Sequence, residues 1–283
     1  MTGPGLAGLL ERETPLLLPV AHDAFSARLI ERAGFTAATI GGFGIAGCRL
    51  GLPDLGLMSF GEVSAAVRDI AGATRLPLLV DADDGYGDVK NVVRTVRTYE
   101  AMGIAGIILE DQVSPKRFGH AAVERRVVPV EEAERKLVAA LGARRSDAFA
   151  IVARTDARSV EGLDAALARA RRYAATGVDA LFVEAPTSEE ELRRIGESFD
   201  LPLLVNAAEG GRTPLLSPHA YRALGFSIIV YPGTLLLRLL DTMTHALAEL
   251  RQGRFAPGPL PDFGLLTEAM GMAEWMRIDQ AYR

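Results

Sequence analysis

Residues 77–112 read PLLVDADDGYGDVKNVVRTVRTYEAMGIAGIILEDQ and combine two apolar runs with a helical segment between them. The runs Pro77–Asp83 and Ala105–Asp111 are almost continuously aliphatic, as expected for parallel strands buried on both faces. The segment Asn91–Met102 repeats apolar residues at helical spacing. It is followed by Gly103, which suits a helix end because glycine adopts the left-handed conformation without a Cβ penalty. The stretch therefore predicts one β–α–β unit.

The same alternation recurs along the whole chain at intervals of roughly thirty residues. The predicted strands are Leu16–Val20, Thr36–Gly41, Pro77–Asp83, Ala105–Asp111, Phe149–Thr155, Ala180–Ala185, Pro202–Asn206 and Ser227–Pro232. Further helical segments cover Val130–Leu141, Leu163–Ala175, Ser188–Ser198 and Thr234–Gln252. Eight units without an intervening linker favour a single (β/α)8 TIM barrel of the α/β class over an open doubly wound sheet, although seven units of either fold would give a similar pattern.

The chain is predicted to comprise a catalytic barrel domain, residues 1–254, and a C-terminal helical tail, residues 255–283. A Pro- and Gly-rich hinge, Phe255–Pro261, precedes the apolar segment Phe263–Tyr282. Because an apolar segment is not stable alone in water, the tail should pack on protein, either its own barrel or, as we expect, a neighbouring subunit.

The composition, 49% hydrophobic and 24% charged among 283 residues, is typical of a folded globular protein. A net charge of −5 without long basic runs argues against a nucleic-acid partner. The apolar runs fall short of the ~20 residues that span a bilayer, and no leader pattern opens the chain, so we expect neither a membrane partner nor export. The single cysteine, Cys48, is expected to be a buried structural thiol, and it indicates a reducing, cytoplasmic location.

Acidic residues follow several predicted strands at the end where a barrel carries its active site. Asp81 and Asp83 alternate at the end of the third strand, which places both side chains on one face, and Glu110 ends the fourth strand. Carboxylates so close together repel one another unless a cation lies among them. Because no His or Cys stands at ligand spacing, these three residues predict a Mg²⁺ site, with Mn²⁺ possible, rather than a zinc site. For Asp84 and Asp156, a helix cap or a salt bridge is an equally good explanation.

Three further groups near strand ends are candidates for binding an anionic substrate. Arg154 lies near the end of the fifth strand, and its planar fork can bind a carboxylate or a developing oxyanion bidentately, with an ion pair to a neighbouring acid as the alternative. The glycine-rich run that contains Gly41, Gly42 and Phe43 could offer backbone N–H groups to an anion, although a simple turn is the default. The basic loop Ser114–His120 is suited to closing over an anionic ligand.

Together these motifs resemble those of the isocitrate lyase/phosphoenolpyruvate mutase superfamily. The resemblance runs from about Pro19 to Tyr231 and rests on Gly51–Gly56, Asp81–Gly87, Leu109–Lys116, Ile151–Ala157, Val183–Ala185, and Asn206 with Glu209–Pro214. The Gly-Leu-Pro-Asp and Glu-Gly-Gly-Arg-Thr-Pro segments are similar to the carboxyphosphonoenolpyruvate phosphonomutase and methylisocitrate lyase-like branches.

The resemblance implies a metal site in which Asp81 binds Mg²⁺ directly while Asp54, Asp83 and Glu110 hold its waters. It also implies a homotetramer, because family members form dimers of dimers with exchanged C-terminal helices. The apolar tail fits such an exchange.

For the substrate, the resemblance implies that the Gly41–Phe43 amides and Arg154 bind the carboxylate and the 2-oxygen of a pyruvate- or glyoxylate-like unit. We assign Asp54 and Asn206 to the substrate site as well. Lys116, His120 and Glu184 join Arg154 in the predicted catalytic set, and the partner is expected to be a small 2-oxo or 2-hydroxy acid.

The gating loop departs from the family pattern at Phe118. Lyase members carry there a cysteine that protonates the departing carbanion, and mutase members place an asparagine at about the same point. Phenylalanine can do neither, which counts against methylisocitrate lyase and phosphoenolpyruvate mutase activity. Decarboxylation of an oxaloacetate-like acid needs no acid from this loop, because CO₂ leaves and water can protonate the enolate. Asp84, where the family more often has Thr or a small residue, is a lesser departure.

The sequence thus predicts a Mg²⁺-dependent lyase that breaks a carbon–carbon bond next to a small 2-oxo or 2-hydroxy acid, either an oxaloacetate-type decarboxylase or an alkylmalate or methylisocitrate-like lyase. A phosphonomutase or phosphonopyruvate hydrolase is the alternative, because Lys116, Arg117 and His120 could hold a phosphoryl group. A binding protein that has kept the pocket and lost turnover is the third possibility.

Overall fold

The computed structural model of the chain describes residues 5–116, 125–255 and 258–283. In these ranges eight parallel strands form a closed barrel in chain order, and pairing of the first strand with the eighth closes it. The strands are β1 Leu16–Ala21, β2 Ala38–Ile40, β3 Leu78–Asp81, β4 Gly106–Glu110, β5 Ala150–Thr155, β6 Ala180–Val183, β7 Leu203–Asn206 and β8 Ile228–Tyr231. The predicted (β/α)8 barrel is confirmed.

Helices surround this barrel and extend beyond it. They are α1 Leu6–Arg12, α2 Ala24–Arg32, α3 Gly42–Ile45, α4 Phe60–Ala71, α5 Val89–Ala101, α6 Val130–Ala143, α7 Arg158–Glu161, α8 Leu163–Ala175, α9 Glu189–Gly196, α10 Pro218–Ala223, α11 Thr234–Leu250, α12 Phe263–Ala269 and α13 Met272–Ala281. A short π-helix, Ala46–Leu50, follows α3 directly. Among the described residues, no helix combines the length and the apolar character that a membrane span requires. The cytoplasmic location and the absence of a nucleic-acid partner stay predictions.

Apolar side chains fill two layers because neighbouring strand residues point to opposite sides of the sheet. Leu16 and Leu18 lie in the barrel interior, together with Leu6 and Leu9 of α1, whereas Leu17 packs against the outer layer under the helices. Both faces of the strands are therefore buried, which explains their continuous aliphatic runs.

Two predicted strands end two residues earlier than the sequence pattern indicates, and both do so at the mouth of the barrel. β3 stops at Asp81 because Asp83 adopts a left-handed backbone with φ 46°. β6 stops at Val183, and Ala185 has φ 59°. Left-handed conformations are unfavourable for residues with a Cβ and are found mainly where function constrains the backbone. The mouth of the barrel therefore carries backbone strain that the hydrophobic pattern does not reveal.

Cys48 was expected to be buried, and that expectation is wrong. It lies exposed on the π-helix, of which only Ala46 is buried. Ile45 and Ala46 are buried, whereas residues 47–50 are all exposed, so burial ends before the thiol.

The C-terminal tail forms two helices that are separated at Gly271, which has φ 86°. The first of them, α12, contacts α2 of the same chain through the ion pair between Arg32 and Glu268, whose atoms lie 3.1 Å apart. Much of the tail still faces outward, since Phe263 is 83% exposed and Trp275 is 65% exposed. Packing of the tail on a neighbouring subunit stays a prediction.

Close packing at the end of α9 gives a test of the fold. A Cβ added at Gly196 would lie 1.7 Å from the carbonyl oxygen of Leu224, a backbone atom that cannot rotate away. We expect Gly196→Ala to lower the free energy of unfolding by about 2 kcal/mol or more, as overpacking does. The midpoint of urea unfolding measures this change. Gly142→Ala in α6 is the matched control, because a Cβ there meets nothing within 4 Å. It should be neutral or stabilising by about 0.5–1 kcal/mol. Equal stability of the two variants would contradict the packing described.

Candidate active site

A pocket opens at the carboxyl ends of the strands, where a barrel places its active site. Its walls come from residues on or directly after β1 to β8 and from the loops that follow them. They are Val20, Thr39, Gly41, Gly42, Phe43, Gly44, Asp54, Asp81, Ile108, Gln112, Lys116, Arg125, Arg154, Phe182, Asn206, Val230 and Pro232. The pocket thus brings together most of the residues that the sequence predicted for the site.

Three carboxylates meet at one side of this pocket. Asp81, Asp83 and Glu110 each offer an oxygen, and these oxygens all lie within 4.8 Å of one another. The backbone fixes the cluster, since the Asp83 amide donates to Asp81 Oδ1 over 3.1 Å and the Glu110 amide donates to the Asp83 carbonyl over 2.9 Å. The two aspartates share a site as predicted, although Asp83 lies beyond the strand end, so strand alternation is not the reason.

The chemistry of this cluster fits a hard divalent cation. Burial raises the pKa of Asp81 to about 6, with a further contribution from the nearby charge of Asp83. Burial likewise raises the pKa of Glu110 to about 8. Asp83 Oδ1 and Glu110 Oε2 are buried, and each lies beside a cationic side chain, Lys116 at 2.6 Å and Arg154 at 3.4 Å. Carboxylate oxygens that are crowded together and costly to keep charged are the donor set that Mg²⁺ or Mn²⁺ would satisfy.

Lys116, on the loop that follows β4, reaches into the same cluster. Its Nζ lies 2.6 Å from Asp83 Oδ1, 3.3 Å from Asp54 Oδ2 and 3.4 Å from Glu110 Oε1. The predicted catalytic lysine and the predicted Asp54 are thus both placed at the acidic wall. Arg117, Phe118 and His120, on which the predictions for the gating loop depend, lie outside the described residues.

Arg154 connects the acidic cluster to the opposite wall. Its Nε and Nη2 donate to Asp156 over 2.9 and 3.0 Å, while Nη1 lies 3.4 Å from Glu110 Oε2 and 3.9 Å from Asp81 Oδ2. The guanidinium also lies over the ring of Phe182, 5.2 Å from its centroid. One edge of the fork is therefore committed to Asp156, and the remaining nitrogen faces the pocket.

Asp156 forms salt bridges with Arg154 and Arg125, and a salt bridge is one of the explanations that the sequence left open for this residue. Burial alone would raise its pKa, but the charges of Arg154 and Arg125 hold the pKa of Asp156 below its usual value. Its backbone amide donates to Asp111, a buried acid that also accepts a hydrogen bond from Tyr173. This network keeps the committed edge of Arg154 in place.

The other predicted residues lie around the same pocket. Gly41 caps the N-terminus of α3, so the glycine run forms the start of a helix rather than a simple turn, and the Gly42 backbone lies against Asp83. Asn206 lines the pocket at the end of β7 and donates to Glu184 over 3.2 Å. Glu184 is buried behind it and is not among the lining residues, so it contacts the pocket through Asn206.

Gln112 and Arg125 are lining residues with ion-pairing or hydrogen-bonding side chains that were absent from the prediction. Gln112 donates to Glu110 Oε1 over 3.2 Å, and extending the strand-end rule by one residue would have found it. Arg125 Nη1 lies 2.6 Å from Asp156 Oδ1, and its Nη2 lies 3.9 Å from Glu184. No sequence signal marks Arg125, because it is far from any strand end along the chain.

Comparison with known proteins gives a consistent result. The family described as phosphoenolpyruvate phosphomutase matches residues 6–251. The chain is 38% identical over 284 residues to 2,3-dimethylmalate lyase of Eubacterium barkeri. The aligned region covers 99% of this chain and 98% of that protein.

Solved structures agree in fold along almost the whole length. Oxaloacetate acetylhydrolase, in complex with the inhibitor 3,3-difluorooxalacetate, superposes with a TM-score of 0.93 at 30% identity over 98% of this chain and 96% of that one. Phosphonopyruvate hydrolase, in complex with oxalate and Mg²⁺, superposes with a TM-score of 0.86 at 27% identity over the same shares of the two chains.

Proposed function

Because the chain belongs to the phosphoenolpyruvate mutase/isocitrate lyase superfamily, we propose that it is a Mg²⁺-dependent lyase that breaks a carbon–carbon bond next to a 2-oxo or 2-hydroxy dicarboxylate. The observation that carries this proposal is the position of the Arg154 Nη1, which lies 3.4 Å from Glu110 at the edge of the acidic cluster in one pocket. A cation site beside a guanidinium suits a substrate that carries a carboxylate next to an oxygen on which negative charge develops.

In this proposal Asp81, Asp83 and Glu110 hold the metal ion. When bound there, Mg²⁺ would stabilise the negative charge that develops on the 2-oxygen of the substrate as the bond breaks. Mn²⁺ has the same preference for oxygen ligands and would substitute.

The protein's own groups bind and orient the substrate. Arg154 Nη1, the nitrogen that does not bind Asp156, would hold the substrate carboxylate, and backbone N–H groups at Gly41–Phe43, which line the same pocket, would bind the same anion. Lys116 lends positive charge beside Asp83, and the apolar ring of Phe182 lines the pocket beside Arg154 and would help to exclude water there.

The substrate class follows from two relatives and one sequence feature. One relative is named for a substituted malate and one for oxaloacetate, and both are small dicarboxylic acids. Phe118 in the gating loop offers no proton, which favours reactions whose enolate product takes its proton from water. We therefore propose alkylmalates and oxaloacetate-like acids as the substrates to test first.

A substrate panel tests the proposal. The protein, freed of metal and then given Mg²⁺, is incubated with oxaloacetate, 3-methyloxaloacetate, 2,3-dimethylmalate, 2-methylisocitrate and phosphonopyruvate, and the products are followed by proton NMR. We expect metal-dependent cleavage of a malate or an oxaloacetate. Efficient cleavage of 2-methylisocitrate with no turnover of the others would contradict the argument from Phe118.

A phosphonopyruvate hydrolase is the second candidate. It is favoured by the superposition on that enzyme and by Lys116, which brings positive charge to the pocket. Phosphorus NMR of the same incubations separates the two functions, because release of inorganic phosphate supports the hydrolase and an unchanged spectrum removes it.

The outer members of the cluster give a graded prediction. We expect Asp83→Ala and Glu110→Ala to weaken Mg²⁺ binding and activity by about 10- to 100-fold without abolishing either, as loss of an outer metal partner does. Titration of activity with Mg²⁺ measures the change. Asp147→Ala, whose side chain is fully exposed and precedes β5 at the other end of the barrel, is the control and should behave as wild type. Unchanged Mg²⁺ dependence in both cluster variants would count against the cluster as the metal site.

We also propose that the chain assembles as a homotetramer in which the tail packs on a neighbouring subunit. Support comes from α11 and α13, neither of which has a buried residue although both carry many large apolar side chains. Exposed apolar surface of this extent is typical of an interface. Sedimentation of the full chain tests this proposal, and a monomer at micromolar concentration would contradict it.

A further inference from the structure

We propose that Lys136 is a positioning residue that fixes the turn between β3 and α5, and with it the Asp83 carboxylate, in the arrangement that receives the metal ion. This inference rests on the proposed metal site. Lys136 itself does not touch the cluster and acts through Asp84.

Lys136 lies on α6, in the outer layer of the barrel, yet its side chain is directed inward. The residue is only 7% exposed, and its Nζ donates to the Asp84 carbonyl over 2.9 Å and to Asp84 Oδ2 over 3.0 Å. Asp84 is 8% exposed. Lysine is almost never buried to this degree unless it is paired, because removal of the ammonium from water is costly.

The turn that Lys136 holds is strained. Asp83 has φ 46° and Tyr86 has φ 63°, both in the left-handed region, while Gly85 and Gly87 also have positive φ. Residues with a Cβ keep this conformation only where their surroundings impose it. Asp84 lies between Asp83 and Tyr86 and accepts three hydrogen bonds. Lys136 Nζ donates to its carbonyl oxygen and to Oδ2, and the Tyr86 amide donates to Oδ1 over 3.0 Å.

The restraint on Asp84 acts on the cluster through the peptide bond between Asp83 and Asp84. Asp84 is bonded to Asp83, whose carbonyl accepts the Glu110 amide and whose carboxylate is one of the three cluster groups. If the turn relaxes, the Asp83 oxygen moves relative to Glu110 and Asp81. Metal affinity depends strongly on such outer contacts because they orient the ligands.

A role in stability alone is the competing explanation, and a second, partly buried pair provides the comparison. Arg144 donates to Asp179 Oδ2 over 2.8 Å and to the Phe149 carbonyl over 3.1 Å, so it binds one carboxylate and one carbonyl as Lys136 does. Asp179 and Phe149 precede β6 and β5, and this pair therefore lies at the opposite end of the barrel from the cluster.

The experiment measures Mn²⁺ binding to the metal-free full chain by electron paramagnetic resonance, with no substrate present. The variants are Lys136→Met, the double variant Lys136→Met/Asp84→Ala, and Arg144→Met as the matched control. Circular dichroism first establishes a temperature at which each is folded. We expect the dissociation constant for Mn²⁺ to rise about 10-fold or more in both Lys136 variants. In the control it should stay within about twofold of wild type, since contacts far from a ligand leave it in place.

Each outcome decides a separate question. Failure of the wild-type protein to bind Mn²⁺ would overturn the metal site and this inference with it. Wild-type binding with equal affinity in Lys136→Met would overturn the positioning role and leave the proposed function standing. If Lys136→Met alone does not fold, the double variant decides, because it leaves no unpaired charge buried. Wild-type affinity in the double variant would overturn the inference.

Discussion

Replacement of Asp81 by alanine is expected to abolish turnover and Mg²⁺-dependent oxalate binding while the fold stays intact. Asp81 ends β3 and is the proposed direct ligand, so its loss should exceed the roughly 100-fold effect of an outer partner. The fold should tolerate the change, because burial and the neighbouring charge of Asp83 make the ionised form of Asp81 unfavourable and so raise its pKa. Removal of such a group at a functional site commonly stabilises a protein.

Calorimetry with oxalate in the presence and absence of Mg²⁺ measures binding, and a thermal melt monitored by circular dichroism measures stability. Asp147→Ala is a suitable control, because that side chain is fully exposed and precedes β5 at the other end of the barrel. Near-normal Mg²⁺-dependent turnover in Asp81→Ala would show that the acids after β3 are not the metal site, and the proposed function would fall with them.

Arg154→Lys is expected to lower kcat/KM by on the order of 100-fold or more, although the positive charge is kept. The guanidinium uses Nε and Nη2 for Asp156 and leaves Nη1 for the pocket. A lysine ammonium is a single point charge, so it can pair with Asp156 or face the pocket but cannot hold both geometries.

The measurement compares kcat/KM and oxalate affinity for wild type and variant on the substrate that the panel identifies. Arg158→Lys is the matched control, because Arg158 binds Glu191 with the same two-pronged geometry, over 3.0 and 2.8 Å, outside the pocket. Wild-type kcat/KM in Arg154→Lys would mean that charge alone suffices there, and the orienting role would be wrong.

The fold was accessible from the sequence because parallel strands buried on both faces leave long aliphatic runs, and each of the eight predicted strands is present. The ends of two strands were not accessible. Asp83 and Ala185 continue the run in sequence, yet both adopt left-handed backbone conformations. Such conformations are set by tertiary contacts, which hydrophobic periodicity does not record.

The site was predictable to the extent that its groups lie at the carboxyl ends of strands. Asp81, Glu110 and Arg154 do so, and the structure brings them together. Arg125 does not lie at a strand end, because it is far along the chain from the end of β4. Lys136 appears in sequence as one more charged residue of an amphipathic helix, and only the three-dimensional structure shows that it is buried against Asp84.

The pocket draws its walls from separate loops on a barrel whose strands follow one another in chain order. An insertion or substitution in one of these loops therefore alters one wall and leaves the register of the strands beneath it unchanged. Selection can then exchange reaction types without rebuilding the scaffold. Proteins named for hydrolysis of a carbon–phosphorus compound and of oxaloacetate superpose on this chain with TM-scores of 0.86 and 0.93 at 27% and 30% identity. In such a lineage the framework is inherited, and the chemistry diverges loop by loop.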